Sequence, residues 1–482
     1  MYDITIIGAG VVGCAIARRL SGYKLRICLM EKQDDVSCGA SKANSGIVHG
    51  GYADEPGTLK AELCVKGNRM YEELERELHF GYRKTGSLVL AFSDAQKASL
   101  RELYDKGLRN GVKGMEIIDR EKILELEPHI NSEVKWALLC RDAGVCSPYE
   151  FTIALAENAV VNGVELRLDS EVTSIRRKAT GGFVLSTGSG ELESRFVINA
   201  AGAYSDRVAA MVGACDFHII PRKGQYILFN KDQSYLVNRV IFQTPTPDGK
   251  GILVTTTYHG NLMIGPNAQE ISDKDDVSTD EEMLTHIVRT ARKSVPGFDI
   301  AKAITSFAGV RPTGEKGDFI ISESKVNGFI NVACIDSPGL TSSPAIALKV
   351  ENILRNTGAV LEEKPDFRPD RKPIIIKKGP DFHGDINAPE PEKHLICHCE
   401  HVTEAEIVDA LNRPVKTKSV DGIKRRTRAG MGMCQGAFCG PRVRALIART
   451  LDIPLEEVPK RGAGSSILPN RVDRMEVKKI GK

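Results

Sequence analysis

The start of the chain alternates apolar runs with small residues in an order that predicts a strand, a turn, a helix and a second strand. Ile4–Ile7 is an apolar run, and Gly8–Gly13 leads into a segment whose apolar residues keep helical spacing as far as Leu20. Leu25–Met30 is the next apolar run. This order is typical of the first βαβ unit of a nucleotide-binding domain.

Later segments mix strand and helix patterns. Strands are predicted at Val164–Arg176 and Phe183–Thr187, which an apolar run at Phe196–Gly202 follows. The segments predicted to be β-rich are Ile219–Phe229, Ile252–Thr257 and Asn261–Ile264. Glu281–Lys293 has its apolar residues on one helical face, and a further helix is expected over Pro344–Leu354. We therefore expect a nucleotide domain interrupted by a β-rich cap that shapes a substrate pocket.

Composition changes after residue 362. Residues 363–393 contain six prolines and few periodic apolar positions, which favours a linker or an extended arm. Residues 394–450 form a compact segment with four clustered cysteines, and residues 451–482 resemble a loop-like tail. The cysteine segment is basic in its second half, and the stretch from Lys416 to Arg428 is the predicted docking face for an acidic partner.

Overall composition excludes several classes of protein. The 482 residues are 41% hydrophobic and 27% charged, which are ordinary globular values. The 66 Lys and Arg against 63 Asp and Glu leave a formal charge of +3, too little for a chain-wide nucleic-acid binder. No apolar run is long enough to span a membrane, and no secretory leader is visible. The 12 cysteines are too sparse for a disulfide scaffold, so we expect a cytoplasmic, reducing location, with any membrane association made through a partner.

The glycine turn is followed by an acidic residue, which completes a dinucleotide-binding fingerprint. Gly8 permits a tight turn, Gly10 lets the backbone approach a pyrophosphate, and Gly13 allows close packing of the helix on the strand. Glu31 follows the second strand and can accept hydrogen bonds from adenosine ribose hydroxyls. An acid at this position disfavours a 2′-phosphate, so FAD or NAD fits better than NADP.

The loop after Glu31 favours FAD, because the small side chains of Ala40–Gly51 allow backbone to approach a flat, extended ligand. Its sequence resembles that of the D-amino-acid-oxidase-like FAD-dependent oxidoreductases, and most closely the type 2 glycerol-3-phosphate dehydrogenases and oxidases, with the L-2-hydroxyglutarate dehydrogenases as near neighbours. Further matching motifs are Pro56–Ala61, Val197–Gly202, Arg222–Tyr226, Ser306–Pro312 and Asp336–Ala345.

This resemblance implies a set of cofactor residues. Those expected to hold FAD are Gly8, Gly10, Val12, Gly13, Glu31, Ala40, Ser41, Ser45, Gly46, Ile47, Val172, Gly202, Gly339, Leu340 and Thr341. It also implies that FAD-binding segments at about 1–80, 145–218 and 325–362 are interleaved with cap segments at about 81–144 and 219–324. The predicted fold is therefore α/β and α+β: a Rossmann-like FAD domain, a β-rich cap, and a small C-terminal iron–sulfur domain.

Oxidation of an alcohol needs a base, and five residues are candidates for the chemistry. The resemblance places His49 beside Ser45 in the active site, and a histidine is suited to take the hydroxyl proton. His259 is a second candidate base. Arg311, in an otherwise apolar stretch, suits capture of a carboxylate or phosphate, and Lys250 matches a lysine that the glycerol-phosphate branch uses near its substrate.

The cysteine segment has two close pairs, Cys397-x-Cys399 and Cys434-x₄-Cys439. Four thiolates in this arrangement suit tetrahedral zinc or a [2Fe–2S] cluster. The surrounding residues, from Val402–Ile407 and from Asp421 to Cys434, resemble the bacterioferritin-associated-ferredoxin-like [2Fe–2S] domain, which implies a [2Fe–2S] cluster bound by these cysteines.

Together these features predict an FAD-dependent dehydrogenase that oxidises sn-glycerol 3-phosphate to dihydroxyacetone phosphate. Electrons would pass through a [2Fe–2S] cluster to an acceptor protein or a second redox subunit. Two alternatives stay open. One is the oxidation of an L-2-hydroxy acid such as 2-hydroxyglutarate, or of an amino or imino acid; the other is a non-catalytic electron-transfer subunit. The expected substrate is a small anion, with no nucleic acid and no membrane insertion.

Overall fold

A computed structural model describes residues 1–245, 251–379, 381–462 and 464–466. The chain divides into two compact units. The larger unit comprises Met1–Lys32 and Val36–Lys372, and the smaller unit comprises Gln33–Asp35 and Pro373–Lys482.

The larger unit contains most of the regular structure. Its strands are β1 (Tyr2–Ile7), β2 (Ile27–Met30), β3 (Ile47–Val48), β4 (Tyr82–Arg83), β5 (Ser87–Ala91), β6 (Met115–Asp119), β7 (Trp136–Cys140), β8 (Gly144–Cys146), β9 (Glu165–Arg167), β10 (Val172–Arg177), β11 (Phe183–Thr187), β12 (Gly190–Asn199), β13 (Ile219–Phe229), β14 (Val240–Gln243), β15 (Leu253–Thr256), β16 (Leu262–Gly265), β17 (Gln269–Glu270), β18 (Ala303–Gly314), β19 (Ile320–Glu323) and β20 (Phe329–Ala333). Its helices are α1 (Val11–Leu20), α2 (Leu59–Asn68), α3 (Tyr71–Leu78), α4 (Asp94–Arg109), α5 (Arg120–Leu126), α6 (Pro148–Val161), α7 (Ser205–Ala210), α8 (Glu281–Ser294) and α9 (Gly339–Asn356).

One sheet of the larger unit is built around parallel strands. β1 pairs in parallel with β2 on one side and with β12 on the other, and β9 and β20 extend the parallel set. β10 and β11 add an antiparallel extension on the first half of β12, and β19 pairs antiparallel with β20. The residues of β2 are all buried, as expected for a strand covered on both faces. This sheet confirms the predicted Rossmann-like βαβ start.

A second sheet, of nine strands, combines two distant stretches of the chain. β5, β6 and β7 come from one stretch, and β13 to β18 come from the other. The two stretches join where β14 pairs in parallel with β5. β13 and β18 run antiparallel along nearly their whole length. The predicted β-rich region is therefore a single twisted sheet, and the face of β13 and β18 forms one wall of the candidate site.

Two predicted elements differ from the structure. The predicted strand Val164–Arg176 is two strands, β9 and β10, because the backbone turns at Asp169, whose φ is +50°. Ser170 N then donates a hydrogen bond to Glu31 O at 2.8 Å, so this part of the chain follows β2 before it joins β11. The helix predicted from Pro344 begins earlier, at Gly339, with Pro344 inside it.

The first part of the proline-rich stretch packs on α6. Asn158 Nδ2 donates hydrogen bonds to the carbonyls of Arg368 and Pro369, at 2.9 and 3.0 Å. Arg371 forms a buried ion pair with Glu157, with Nε 2.5 Å from Oε2. These polar contacts, together with others to α1 and α3, hold residues 364–372 within the larger unit.

The smaller unit has two short strands and three helices among its described residues. They are β21 (Leu395–Cys397), β22 (Val402–Thr403), α10 (Glu404–Asn412), α11 (Val420–Thr427) and α12 (Gly440–Leu451). Thr403 and Glu406 form a capping box at the start of α10, which satisfies the first free N–H groups of that helix. Ile407, Ile423 and Ile447, one from each helix, are fully buried in a common core.

Candidate active site and cysteine site

The glycine turn between β1 and α1 has no room for side chains. Gly8 has a φ of +103°, and a Cβ there would lie 2.5 Å from Ala200 O. A Cβ on Gly13 would lie 1.9 Å from Gly8 O. The N-cap of α1 is Gly10, which supplies no side-chain cap. The first-turn N–H groups, including that of Val12, have no partner within the helix and fit a pyrophosphate.

Glu31 and Ser41 flank this turn. Glu31 Oε2 accepts a hydrogen bond from Ala9 N at 2.9 Å, which fixes the carboxylate beside the turn. Ser41 Oγ accepts one from Val11 N at 2.8 Å. A carboxylate and a hydroxyl therefore stand at the positions where ribose hydroxyls and phosphate oxygens of a dinucleotide are recognised. The residues present fit the adenosine half of FAD.

The other predicted cofactor residues occupy turns and strand ends of the same unit. Ala40 O accepts a hydrogen bond from Asn44 Nδ2 at 3.0 Å. Gly46 has a φ of +65°, and a Cβ there would lie 2.5 Å from Cys146 O. Val172 is buried at the start of β10, and Gly202, with a φ of +56°, follows β12.

Thr341 joins the loop of His49 to helix α9. Its Oγ1 accepts a hydrogen bond from His49 N at 2.9 Å and donates one to Ile47 O at 3.3 Å. Asn68 Nδ2 donates to His49 O at 3.0 Å, so both backbone groups of the histidine are fixed. The His49 ring stacks on Phe242, with centroids 6.1 Å apart.

The start of α9 also explains how Pro344 is accommodated inside a helix. A proline lacks the N–H that would bond to the carbonyl four residues earlier, which is that of Leu340. Leu340 O instead accepts hydrogen bonds from Tyr71 Oη at 2.6 Å and from Ser343 Oγ at 2.9 Å. Gly339 N donates to Asp336 O at 2.6 Å. These contacts let the helix begin five residues before the proline.

Two facing glycines make a notch in the sheet wall of the site. Gly224 of β13 pairs with Gly309 of β18. A Cβ on Gly309 would lie 2.0 Å from Ala43 O, so the loop that carries Ser45 packs directly on the backbone of β18. Because residues two apart on a strand share a face, Arg311 lies on the same face as Gly309.

Tyr226, beside this notch, reaches the loop. Its side chain hydrogen-bonds with Ser45, and its ring stacks on Phe307 with centroids 4.7 Å apart. Burial raises the pKa of Tyr226, against the opposing effects of Arg311 and Ser45. The phenol is therefore protonated at neutral pH, and Ser45, Tyr226 and Arg311 form one group.

Arg311 has no carboxylate partner among the residues that the structure describes. Its Nη2 donates to Asn267 O at 2.6 Å and makes a longer contact, 3.4 Å, with Lys223 O. The buried Nε has no hydrogen-bond partner in the described parts of the chain. The predicted Lys250 lies outside the described residues. His259 is largely buried, with Nε2 2.6 Å from Glu150 Oε1.

The four cysteines of the smaller unit form two sulfur pairs. Cys399 and Cys434 have their sulfurs 3.9 Å apart, and Cys397 hydrogen-bonds with Cys439. Two sulfurs on one tetrahedral metal, at about 2.3 Å bonds, are about 3.7 Å apart. No set of three or more His, Cys, Asp or Glu side chains among the described residues converges on a single metal position. Two pairs suit two irons better than one zinc.

Backbone N–H groups are directed at these sulfurs. The hydrogen bond from Cys439 lowers the pKa of Cys397 against the effect of burial, and the N–H groups of Gly430 and Glu400 act in the same direction. The N–H of Phe438 is the main cause that lowers the pKa of Cys434. Hydrogen bonds to cysteine sulfurs are a usual feature of iron–sulfur sites. The donor set therefore fits a [2Fe–2S] cluster.

The prediction that Lys416 to Arg428 forms a basic docking face is wrong for three arginines of this stretch, because they are buried. Arg426 is 1% exposed and forms a two-pronged ion pair with Asp35, at 2.7 and 2.9 Å, and Arg425 Nη2 lies 2.6 Å from Asp35 Oδ2. Arg428 pairs with Glu400 at 2.9 Å. Burial would raise the pKa of Asp35, but the two arginines outweigh it and hold that pKa below its ordinary value. These charges stabilise the smaller unit from within.

Three residues of the site were not predicted from the sequence. Tyr226 lies in the Arg222–Tyr226 motif, which indicated the family resemblance but not the contact between Tyr226 and Ser45. Phe242 contacts His49, and Asn267 contacts Arg311, only because the folded sheet brings these parts of the chain together.

In the parts of the chain that the structure describes, no helix is long and apolar enough to cross a membrane.

Comparisons with known proteins identify both domains. The family model described as FAD dependent oxidoreductase (DAO) matches residues 3–352, and that described as BFD-like [2Fe-2S] binding domain matches residues 395–449. These matches confirm the predicted FAD and [2Fe–2S] cofactors.

Three similar proteins show how far the likeness extends. A glycerol 3-phosphate dehydrogenase from Caloramator mitchellensis is 47% identical over 472 residues, which cover 97% of this chain and 98% of the relative. The mitochondrial L-2-hydroxyglutarate dehydrogenase of Homo sapiens is 32% identical over 285 residues, 55% of this chain and 61% of the relative. The structure of dithionite-reduced L-α-glycerophosphate oxidase from Mycoplasma pneumoniae with FAD bound has a TM-score of 0.74 and 30% identity, and the match covers 77% of this chain and 98% of that one. This chain therefore belongs to the DAO family of FAD-dependent oxidoreductases.

Proposed function

We propose that this protein is an FAD-dependent dehydrogenase that oxidises sn-glycerol 3-phosphate to dihydroxyacetone phosphate. Its electrons pass through the [2Fe–2S] cluster to an acceptor protein or a second redox subunit. The observation that carries the proposal is the 47% identity with a glycerol 3-phosphate dehydrogenase over 97% of this chain. An alignment of that length spans both the FAD domain and the cysteine domain.

The chemistry is the removal of a proton and a hydride from the secondary alcohol. FAD, when bound, supplies the acceptor for the hydride. His49 takes the hydroxyl proton, and its backbone is held for that purpose by Thr341 and Asn68. Ser45, fixed by Tyr226, lies in the same loop and orients the hydroxyl.

Substrate binding relies on positive charge. Arg311 carries a guanidinium that no carboxylate of the described residues neutralises, so its charge is available to a phosphate. Lys250, predicted from the sequence, adds a second cation. Two cations suit a phosphate dianion better than a single carboxylate.

The turn and loops described above support the predicted FAD-binding residues. Gly8, Gly10, Val12 and Gly13 bind the pyrophosphate, and Glu31 binds the ribose. The remaining residues that line the cofactor are Ala40, Ser41, Ser45, Gly46, Ile47, Val172, Gly202, Gly339, Leu340 and Thr341. Cys397, Cys399, Cys434 and Cys439 bind the cluster.

The iron–sulfur domain argues for a dehydrogenase over an oxidase. The structural match covers almost all of the Mycoplasma pneumoniae oxidase, but about a quarter of this chain has no counterpart in that oxidase. A flavin accepts two electrons at a time, and a [2Fe–2S] cluster passes them on singly to a carrier. An oxidase that returns electrons directly to oxygen has no need of such a cluster.

Anaerobic addition of substrate tests the proposal. Glycerol 3-phosphate should bleach the bound flavin of the full-length holoenzyme, and L-2-hydroxyglutarate, added separately, should not. Bleaching by L-2-hydroxyglutarate alone would instead favour a 2-hydroxy acid dehydrogenase. A flavin that stays oxidised with every small substrate, but is reduced by a partner protein, would indicate a non-catalytic electron-transfer subunit.

A further inference from the structure

Two hydrogen-bond donors beside the predicted substrate site have no partner. Asn267 is 8% exposed, and its Nδ2 is buried without an acceptor among the described residues. Arg311 Nε is buried and unpartnered in the same way. The two residues are neighbours, because Arg311 Nη2 donates to Asn267 O at 2.6 Å. Buried donors without acceptors cost free energy, so the presence of one on each of two contacting residues needs a reason.

The orientation of the Asn267 amide is fixed by its neighbours. Its Oδ1 accepts a hydrogen bond from Gln225 N at 2.7 Å, and only the oxygen of the amide can accept. The NH₂ group is therefore the end of the amide that does not bond to Gln225. It cannot turn away without breaking the bond to Gln225, so it is a permanent donor at this position.

Gly224 allows the Arg311 guanidinium to reach Asn267. Arg311 stands on β18, and Asn267 follows β16 on the other side of β13. The arginine side chain crosses β13 at Gly224, where a Cβ would lie 2.9 Å from Nη2. The absence of a side chain at Gly224 thus allows the contact between Arg311 and Asn267.

We propose that Asn267 and Arg311 together bind the anionic group of the substrate, and that Asn267 is a residue that selects a charged substrate over a neutral polyol. This inference rests on the proposed function, since it places the phosphate of glycerol 3-phosphate at these donors. An oxyanion offers several acceptor lone pairs at once and satisfies both Nδ2 and Nε. A neutral hydroxymethyl group cannot neutralise the guanidinium.

The Asn267→Asp variant tests the inference. It keeps the acceptor for Gln225 N but replaces the NH₂ donor with a carboxylate oxygen that pairs with Arg311 and repels an anion. The ratio of kcat/KM for glycerol 3-phosphate to that for glycerol should fall by roughly 10-fold to 100-fold. The loss should appear as a higher KM for glycerol 3-phosphate. The dissociation constant of inorganic phosphate, measured from the absorbance of the bound flavin, should rise by a similar factor.

Asn261→Asp is the matched control. Asn261 is also buried, but its Nδ2 already donates to Phe229 O at 2.9 Å. This variant should lose stability without changing the ratio for the two substrates. If Asn267→Asp does not retain FAD, Asn267→Ala replaces it, because it removes the same NH₂ donor without adding a charge and should cause a selective loss in the same direction.

Any of three results would overturn the inference. One is an equal loss for glycerol 3-phosphate and glycerol, which would make Asn267 a structural residue. The second is unchanged binding of both inorganic phosphate and L-2-hydroxyglutarate in the variant, and the third is a wild-type holoenzyme that binds neither anion. If the wild-type flavin is not reduced by glycerol 3-phosphate, the proposed function fails, and the anion titrations alone then decide the inference.

Discussion

The Gly309→Ala variant tests whether the close approach of the Ser45 loop to β18 is needed for catalysis. A Cβ at this position would lie 2.0 Å from Ala43 O, and ordinary contact begins at 3.4 Å, so the loop backbone must move by about 1.4 Å. A displacement of about 1 Å in an active site can cost about 100-fold in rate. We expect the rate of flavin reduction by glycerol 3-phosphate to fall by roughly 100-fold or more, and the free energy of unfolding to fall by about 1–3 kcal/mol.

Anaerobic stopped-flow measurement of flavin absorbance gives this rate, and the ratio of flavin to protein absorbance gives the FAD content. Gly39→Ala is the matched control, because it lies in the same stretch of chain and a Cβ there would meet nothing within 4 Å. The control should reduce its flavin at the wild-type rate. A Gly309→Ala enzyme with the wild-type rate would refute the argument that this contact places Ser45.

Three further variants address the base, the cluster and the smaller unit. His49→Ala should slow flavin reduction by roughly 10²-fold to 10⁴-fold with FAD still bound, and a wild-type rate would remove His49 from the mechanism. Cys434→Ser should abolish the cluster signals and delivery of electrons to the acceptor while substrate still bleaches the flavin; full acceptor turnover would make the cluster structural. Asp35→Asn removes the carboxylate that pairs with the buried Arg425 and Arg426 and should cost the smaller unit about 3–5 kcal/mol in denaturant unfolding. Because the pKa of Asp35 is lowered in the folded state, the stabilisation from this ion pair is complete above the unfolded pKa of about 3.9 and is lost as pH falls through the folded pKa. Equal stability of variant and wild type at neutral pH would contradict the reasoning.

Local rules predicted the elements that depend on near neighbours in sequence. The strand and glycine turn around Gly8 follow from apolar runs and from backbone geometry that excludes a Cβ. The helix over Glu281–Ser294 follows from its amphipathic spacing. Local rules failed at α9, where Pro344 predicts a helix start. The helix begins earlier because Tyr71, 269 residues away from Leu340, satisfies the carbonyl that the proline leaves free.

The sequence alone therefore determined the cofactor classes, the α/β architecture with its β-rich cap, and the cysteines of the iron–sulfur domain. Each depends on a short motif whose residues act together wherever it is placed. The tertiary structure decided which groups meet: Thr341 with His49 across 292 residues, Arg311 with Asn267 across 44, and Arg426 with Asp35 across 391. Periodicity and composition describe neighbours along the chain, whereas a buried donor or charge selects its partner by position in space, so these contacts had no local signal.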